Sequence, residues 1–222
     1  MYRVLEKDFI VSELSEGDLR ARYPEILGGL ADGIQCDAGW LVLIDALLDE
    51  ITRHCASQGI PVPRARQIKE KGGSLRCYLS SKDAFIEGLV QMAEEISGKT
   101  CEICGEPGLM GVQDHVVQVR CLKHGGRSHD EHDRTSAIWH LEPERPPSSE
   151  RRVPGKTEEG AELWILDLLN DVADDYCYKR APSFRVKAVH GGDGLRFDAE
   201  SSDERLEGLM AMASAFWKRR AP

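Results

Sequence analysis

Residues 85–96 read FIEGLVQMAEEI and residues 205–216 read RLEGLMAMASAF, so Glu87-Gly88-Leu89 with Met92-Ala93 recurs as Glu207-Gly208-Leu209 with Met212-Ala213. Both stretches have helical spacing of apolar residues, with Phe85, Leu89, Met92 and Ile96 on one stripe of the first. A glycine inside a helix costs about 1 kcal/mol relative to alanine. Its presence at the same repeat position, Gly88 and Gly208, therefore predicts a close helix contact made in both copies.

Working outward, each helix is preceded by the same series of elements. In the first copy WLVLIDALLDEITRHC puts Trp40, Leu43, Ile44, Leu47, Leu48, Ile51 and Cys55 on one helical stripe. Two strand-like segments follow, RARQIKEK and SLRCYL, joined at Gly72-Gly73. The second copy has ELWILDLLNDVADDYC, then SFRVKAVH and LRFDAE joined at Gly191-Gly192. Leu47-Leu48 matches Leu168-Leu169, Pro63 matches Pro182, Arg66 matches Arg185, and Leu75-Arg76 matches Leu195-Arg196. The fold class is α+β, two helix-hairpin-helix units. An isolated two-stranded hairpin is marginal, which favours a merged, four-stranded antiparallel sheet with the helices on one face. The organisation is an N-terminal segment at 1–22, repeat 1 at 23–98, a metal hairpin at 99–125, a linker at 126–158 rich in Pro, Ser and charge, and repeat 2 at 159–222.

Between the repeats, Cys101 and Cys104 form one pair and Cys121 and His124 a second, with sixteen residues separating the pairs. Two ligands separated by two residues fit on one tight turn, and the insert is long enough for a hairpin, with Val116, Val117 and Val119 as the strand that leads the second pair in. The expectation is one Zn2+ per chain in a tetrahedral Cys3His site. Four protein ligands leave no open position for water, so the role is structural. His115 is an alternative to His124, although its place beside a valine-rich strand suits a surface imidazole better.

The 222 residues include 41% hydrophobic ones, enough for a packed core, and carry a net charge of -9. Seven cysteines, an odd count, suit a reducing compartment. No apolar run reaches the roughly 18 residues of a membrane span and the N-terminus is unlike a signal peptide, so the expected location is cytoplasmic. Negative charge argues against nonspecific nucleic-acid binding and favours encounter with a basic protein. Arg66, Lys69 and Arg76 on the first hairpin, echoed by Arg185, Lys187 and Arg196 on the second, are either a solvated sheet face or a surface for an anionic ligand. Lys218-Arg219-Arg220 reads as a solvated end. His129, Asp130, His132 and Asp133 are ordinary residues for a solvated loop and weak candidates for chemistry, and Cys55, Cys77 and Cys177 fall on apolar positions.

YPEILGGL, CDAGWLVLIDALLDEI, QIKEKGGSLRCYL and ISGKTCEICGEPG with RCLKH together resemble a family of uncharacterised small zinc proteins of phages, prophages and bacteria. The likeness covers Tyr23 to Gly125; Asp37-Ala38 stands where that family has its first glycine region, and no phenylalanine precedes Gly72. It implies a cytosolic zinc protein from mobile or competitive genetic contexts, and no catalytic residue. The reading is a non-enzymatic inhibitor or immunity-type protein that neutralises a toxin, nuclease or host factor. The alternative is a nucleic-acid-binding zinc protein that uses the basic hairpins.

Overall fold

A computed structural model describes residues 14–113, 115–126, 186–191, 194–199 and 203–220. The first helices are α1 (Glu16–Arg22) and α2 (Pro24–Leu27). A short strand β1 (Ile34–Gln35) and a 3-10 turn (Ala38–Trp40) lead into the long helix α3 (Leu41–Gln58). Strands β2 (Ala65–Glu70) and β3 (Leu75–Leu79) then precede α4 (Ala84–Ser97). The metal hairpin is β4 (Leu109–Gln113) and β5 (Val116–Arg120), ending in a 3-10 turn (Leu122–His124). In the second copy β6 (Val186–Gly191) and β7 (Gly194–Ala199) are followed by α5 (Glu204–Arg220). The segment expected to form the first helix of repeat 2 lies outside the described residues.

The stripe expected on α3 is the core stripe: Trp40, Leu43, Ile44, Leu47, Leu48, Ile51 and Cys55 are all buried. Helix α3 packs against α4 and α5, which pack along each other. Their crossing is as close as the paired glycines predicted. A Cβ on Gly88 would lie 2.0 Å from the Arg205 carbonyl oxygen, and one on Gly208 would lie 2.1 Å from the Phe85 carbonyl oxygen. Arg205 and Phe85 each stand three residues before the glycine of their own helix, so the contact is reciprocal.

The two hairpin-helix halves also share bonds at equivalent positions. Asp83 caps α4 by accepting from the Ile86 N–H at 2.8 Å, and Asp203 caps α5 by accepting from the Leu206 N–H at 3.3 Å. The Cys77 N–H donates to Glu94 Oε1 at 3.4 Å, and the Phe197 N–H donates to Ser214 Oγ at 2.9 Å. These are the same repeat positions. They also explain why the expected four-stranded sheet does not form. The β3 edge donors of Leu75 and Cys77 are taken by Ser97 and Glu94 of α4, that of Phe197 on β7 by Ser214 of α5, and β1 pairs in parallel along the other side of β2. An edge whose N–H groups are already bonded offers no ladder to another strand. The hairpins therefore belong to separate sheets, β1-β2-β3 and β6-β7, and the copies join through their helices.

Arg219 is a further correction to the sequence reading, because it is not a solvated end. It donates from Nε to Asp45 Oδ2 at 2.9 Å and from Nη2 to Asp49 Oδ2 at 3.0 Å, while the Tyr23 hydroxyl donates to Asp45 Oδ1 at 2.8 Å. Asp45 thus ties the α1–α2 corner, α3 and α5 together. Burial raises its carboxyl pKa, but hydrogen bonds from Arg219 and Tyr23 and the charges of Arg219 and Arg22 outweigh that effect and hold it below the ordinary aspartate value of 3.8. A depressed folded-state pKa gives stability that is present above the ordinary value and is lost as pH falls through the lower one. Asp45→Asn is expected to cost about 2 kcal/mol at neutral pH, the scale of a charge-assisted hydrogen bond. Its urea midpoint should also fall less steeply on acidification than that of the parent. Parallel pH profiles for the two proteins would show that Asp45 carries no acid-sensitive stability.

Candidate metal centre

The two ligand pairs sit on matching turns. Cys101 precedes a turn closed by the Gly105 N–H donating to the Cys101 carbonyl at 2.8 Å, and Cys121 precedes one closed by the Gly126 N–H donating to the Cys121 carbonyl at 2.9 Å. Each second ligand is followed by a glycine in the left-handed region, Gly105 at φ 77° and Gly125 at φ 81°. Strands β4 and β5, paired in register from Leu109↔Arg120 to Gln113↔Val116, bring the two turns together.

The donor atoms of Cys101, Cys104, Cys121 and His124 all lie within 4.8 Å of one another, and the four residues can hold a metal ion. Cys104 Sγ is 3.7 Å from Cys121 Sγ, and His124 Nδ1 is 3.3 Å from Cys121 Sγ and 3.5 Å from Cys101 Sγ. A tetrahedron with metal–sulfur bonds of about 2.3 Å and metal–nitrogen bonds of about 2.0 Å has edges of about 3.7 Å and about 3.5 Å. These three separations fit those edges. His115 is exposed at the hairpin turn with φ 66°, and His124 is the fourth member of the cluster.

Electrostatics within the cluster divide the thiols. Burial opposes ionisation of Cys101, yet backbone hydrogen bonds from Cys121, Cys104 and Ile103 and the His124 ring hold its pKa down to about 7. Burial, together with hydrogen bonding to Cys121 and Cys101, pushes Cys104 up to about 12. Packed thiols resist ionising together, and a bound dication relieves that repulsion.

The site is seated on the fold by the residues that open α3. The Trp40 indole donates from Nε1 to the Thr100 carbonyl at 2.8 Å, and the Gly39 N–H donates to the Glu102 carbonyl at 2.8 Å. A Cβ on Gly39 would stand 2.4 Å from the Gly105 nitrogen and 2.5 Å from the Cys101 oxygen, so only glycine lets the turn approach. Arg120 completes the seat by donating to Glu102 at 3.3 Å. Sequence reading placed Trp40 in the core but missed its indole bond and the seat at Gly39. The Gly-Trp pair just before a helix whose chain later reaches the ligands was the available signal.

The other candidates separate clearly. Arg66 is exposed, and Lys69 and Arg76 are half-exposed, on the three-stranded sheet. Lys187 and Arg196 lie on β6 and β7, paired in register with Asp198 and Val189. Arg185, Cys177, His129, Asp130, His132 and Asp133 lie outside the described residues. Burial raises the Cys77 thiol to about 12 and also raises Cys55, as expected of buried apolar positions. No helix among the described residues is long and apolar enough to cross a membrane. No known family profile, curated protein or solved structure matches the chain.

Proposed function

We propose that the chain is a zinc-stapled, non-enzymatic binding protein that acts by stoichiometric docking onto a basic protein, in the manner of an inhibitor or immunity protein. Zinc is the metal that a tetrahedral set of three thiolates and one imidazole favours. Four protein ligands fill its coordination, so it supplies folding energy and not a reactive water.

The observation that carries the reading is where the exposed apolar surface lies. Seven large hydrophobic side chains are exposed among the described residues, and five of them, Ile103, Met110, Val112, Val116 and Leu122, belong to the metal hairpin. Leu122 is 70% exposed and Val116 56%. Apolar residues concentrated on one small hairpin, with Val112 and Val116 on its two faces, mark it as an interaction element, whereas the same number scattered singly would be ordinary. The net charge of -9 favours a basic partner by steering its approach. The resemblance noted above is the support for a role in the cytosol of a bacterium, encoded by a phage, a prophage or the bacterial genome.

The test is capture of a partner from the native host, then calorimetry with the purified partner. The parent should bind one to one. Val112→Glu combined with Val116→Glu, with metal content and melting temperature retained, should bind at least tenfold more weakly, a loss of about 1.4 kcal/mol. Added salt should slow association more than it speeds dissociation. Unchanged affinity in the double variant would reject the hairpin as the docking surface.

A further inference from the structure

We infer that the outer face of the β1-β2-β3 sheet binds single-stranded nucleic acid, through residues other than the exposed apolar ones of the neighbouring metal hairpin. The first observation is charge segregation. Between Gly59 and Lys82 the chain has six Lys or Arg residues and one acidic residue, Glu70, within a protein whose net charge is -9. The cations on this hairpin are therefore not a sample of the average surface.

The register then places them together. Lys69 lies opposite Arg76, Gln67 opposite Tyr78, and Gln35 beside Lys69, on the face opposite buried Ile68 and Cys77. A β-bulge between Ala65 and Gln67 leaves Arg66 as an exposed extra residue, the kind of irregularity that re-aims a side chain. Like charges directly opposite each other destabilise a sheet. Of the two, Arg76 has a carboxylate within 4.0 Å among the described residues, Glu94 at 3.6 Å, and its Nη1 also donates to Ser74 Oγ and the Leu75 carbonyl. An anion lying across the pair relieves the repulsion.

Arg64 and Arg66 add to this surface. Among the described arginine side chains they have no carboxylate partner within 4.0 Å, whereas the others pair with Asp or Glu.

Tyr78 identifies the class of anion. Its side chain is 43% exposed in the middle of the cationic face, an open ring on a sheet flanked by Arg76 and Lys69. An acidic protein surface would satisfy the cations and leave the ring without a partner. Single-stranded nucleic acid supplies both phosphates and unstacked bases, and base–aromatic stacking is worth about 1 to 3 kcal/mol per base. A duplex keeps its bases paired and stacked on one another, so it offers the Tyr78 ring no free base face. The net negative charge repels a polyanion at long range, so affinity rests on these contact residues.

The experiment is fluorescence anisotropy on the metal-loaded full chain, with a fluorescein-labelled oligothymidylate of about 16 nucleotides. Between about 50 and about 200 mM salt, three phosphate contacts predict a slope of log affinity on log salt of about -2. Arg66→Glu with Lys69→Glu should weaken binding at least tenfold, and Tyr78→Ala about tenfold, with metal content and melting temperature unchanged. Tyr78→Phe should retain binding, since stacking needs the ring and not the hydroxyl. Val112→Glu with Val116→Glu should leave oligonucleotide affinity unchanged, which separates this surface from the one proposed for a protein partner. No saturable binding at about 50 mM salt would overturn the inference. Equal affinity for a duplex or for polyglutamate would do the same, as would indifference to the sheet variants.

Discussion

Chelating the metal is expected to unfold residues 99–126 while leaving the helical core assembled. Structural zinc in a four-ligand site contributes an apparent 10 to 16 kcal/mol or so near neutral pH, as large as the whole stability of an ordinary domain. Beyond the metal, the hairpin is held at its root by the Trp40–Thr100 and Gly39–Glu102 bonds and by Met110 and Val117 lying near Gly73. Its two strands pair only with each other among the described residues. A two-stranded hairpin of that kind is marginal alone. The main apolar cluster is different, because Leu43, Leu47, Leu89, Met92, Leu209 and Phe216 belong to α3, α4 and α5 and not to the hairpin.

The expected signature is therefore split. Amide exchange in residues 99–126 should accelerate by orders of magnitude on chelation, whereas exchange in α4 and α5 should rise modestly. The environment of Trp40 should change as well, because its indole donates to the Thr100 carbonyl at the root of the hairpin. Comparison with a Trp40→Phe protein would assign that fluorescence signal. Cys104→Ser should reproduce the chelated state without chelator. Metal affinity should fall as pH falls, since Cys104, pushed up to about 12 without metal, must give up its proton to bind. An unchanged exchange pattern and melting temperature after verified metal removal would sink the structural role.

Features legible in the sequence were those with local periodicity. The α3 stripe, the Gly72-Gly73 turn and the spacing of Cys101, Cys104, Cys121 and His124 each announce themselves within a few residues. What was not legible depends on partners far apart in the chain. Whether the two hairpins share a sheet is decided by side chains of the following helices, Glu94, Ser97 and Ser214, which bond strand-edge amides. Nothing in a serine or glutamate on an amphipathic helix signals that use. The Arg219–Asp45 bond joins residues 174 positions apart, and in sequence Arg219 sits in a basic run near the end of the chain. β1 is two residues long, too short to show alternation, yet it lies beside β2 where another strand was expected to pair. Gly39 has no sequence neighbour to explain it, because what it accommodates is the turn at Cys101–Gly105.

The repeat gives the second large prediction, and its sign is informative. Gly88→Ala should gain about 1 kcal/mol if helix propensity alone decided the outcome. The new Cβ would instead fall 2.0 Å from the Arg205 backbone oxygen and 2.9 Å from the Leu209 nitrogen, and neither is the yielding end of a flexible side chain. Helices α4 and α5 would have to move apart, drawing Leu89, Met92, Leu209 and Met212 out of contact, at a net cost of about 3 kcal/mol. Gly208→Ala should cost a similar amount, since its Cβ would meet the Phe85 oxygen at 2.1 Å. The two changes strain one crossing from opposite sides, so the separation forced by the first makes room for the second. Gly88→Ala with Gly208→Ala should therefore cost clearly less than the sum of the single variants, a coupling of about 1 kcal/mol or more in a double-mutant cycle. Urea unfolding of the four proteins, all metal-loaded, measures it. Stabilisation by either single variant would show that the helices do not approach as closely as the reciprocal glycine contacts require, and strict additivity would show that the two glycines do not share a crossing.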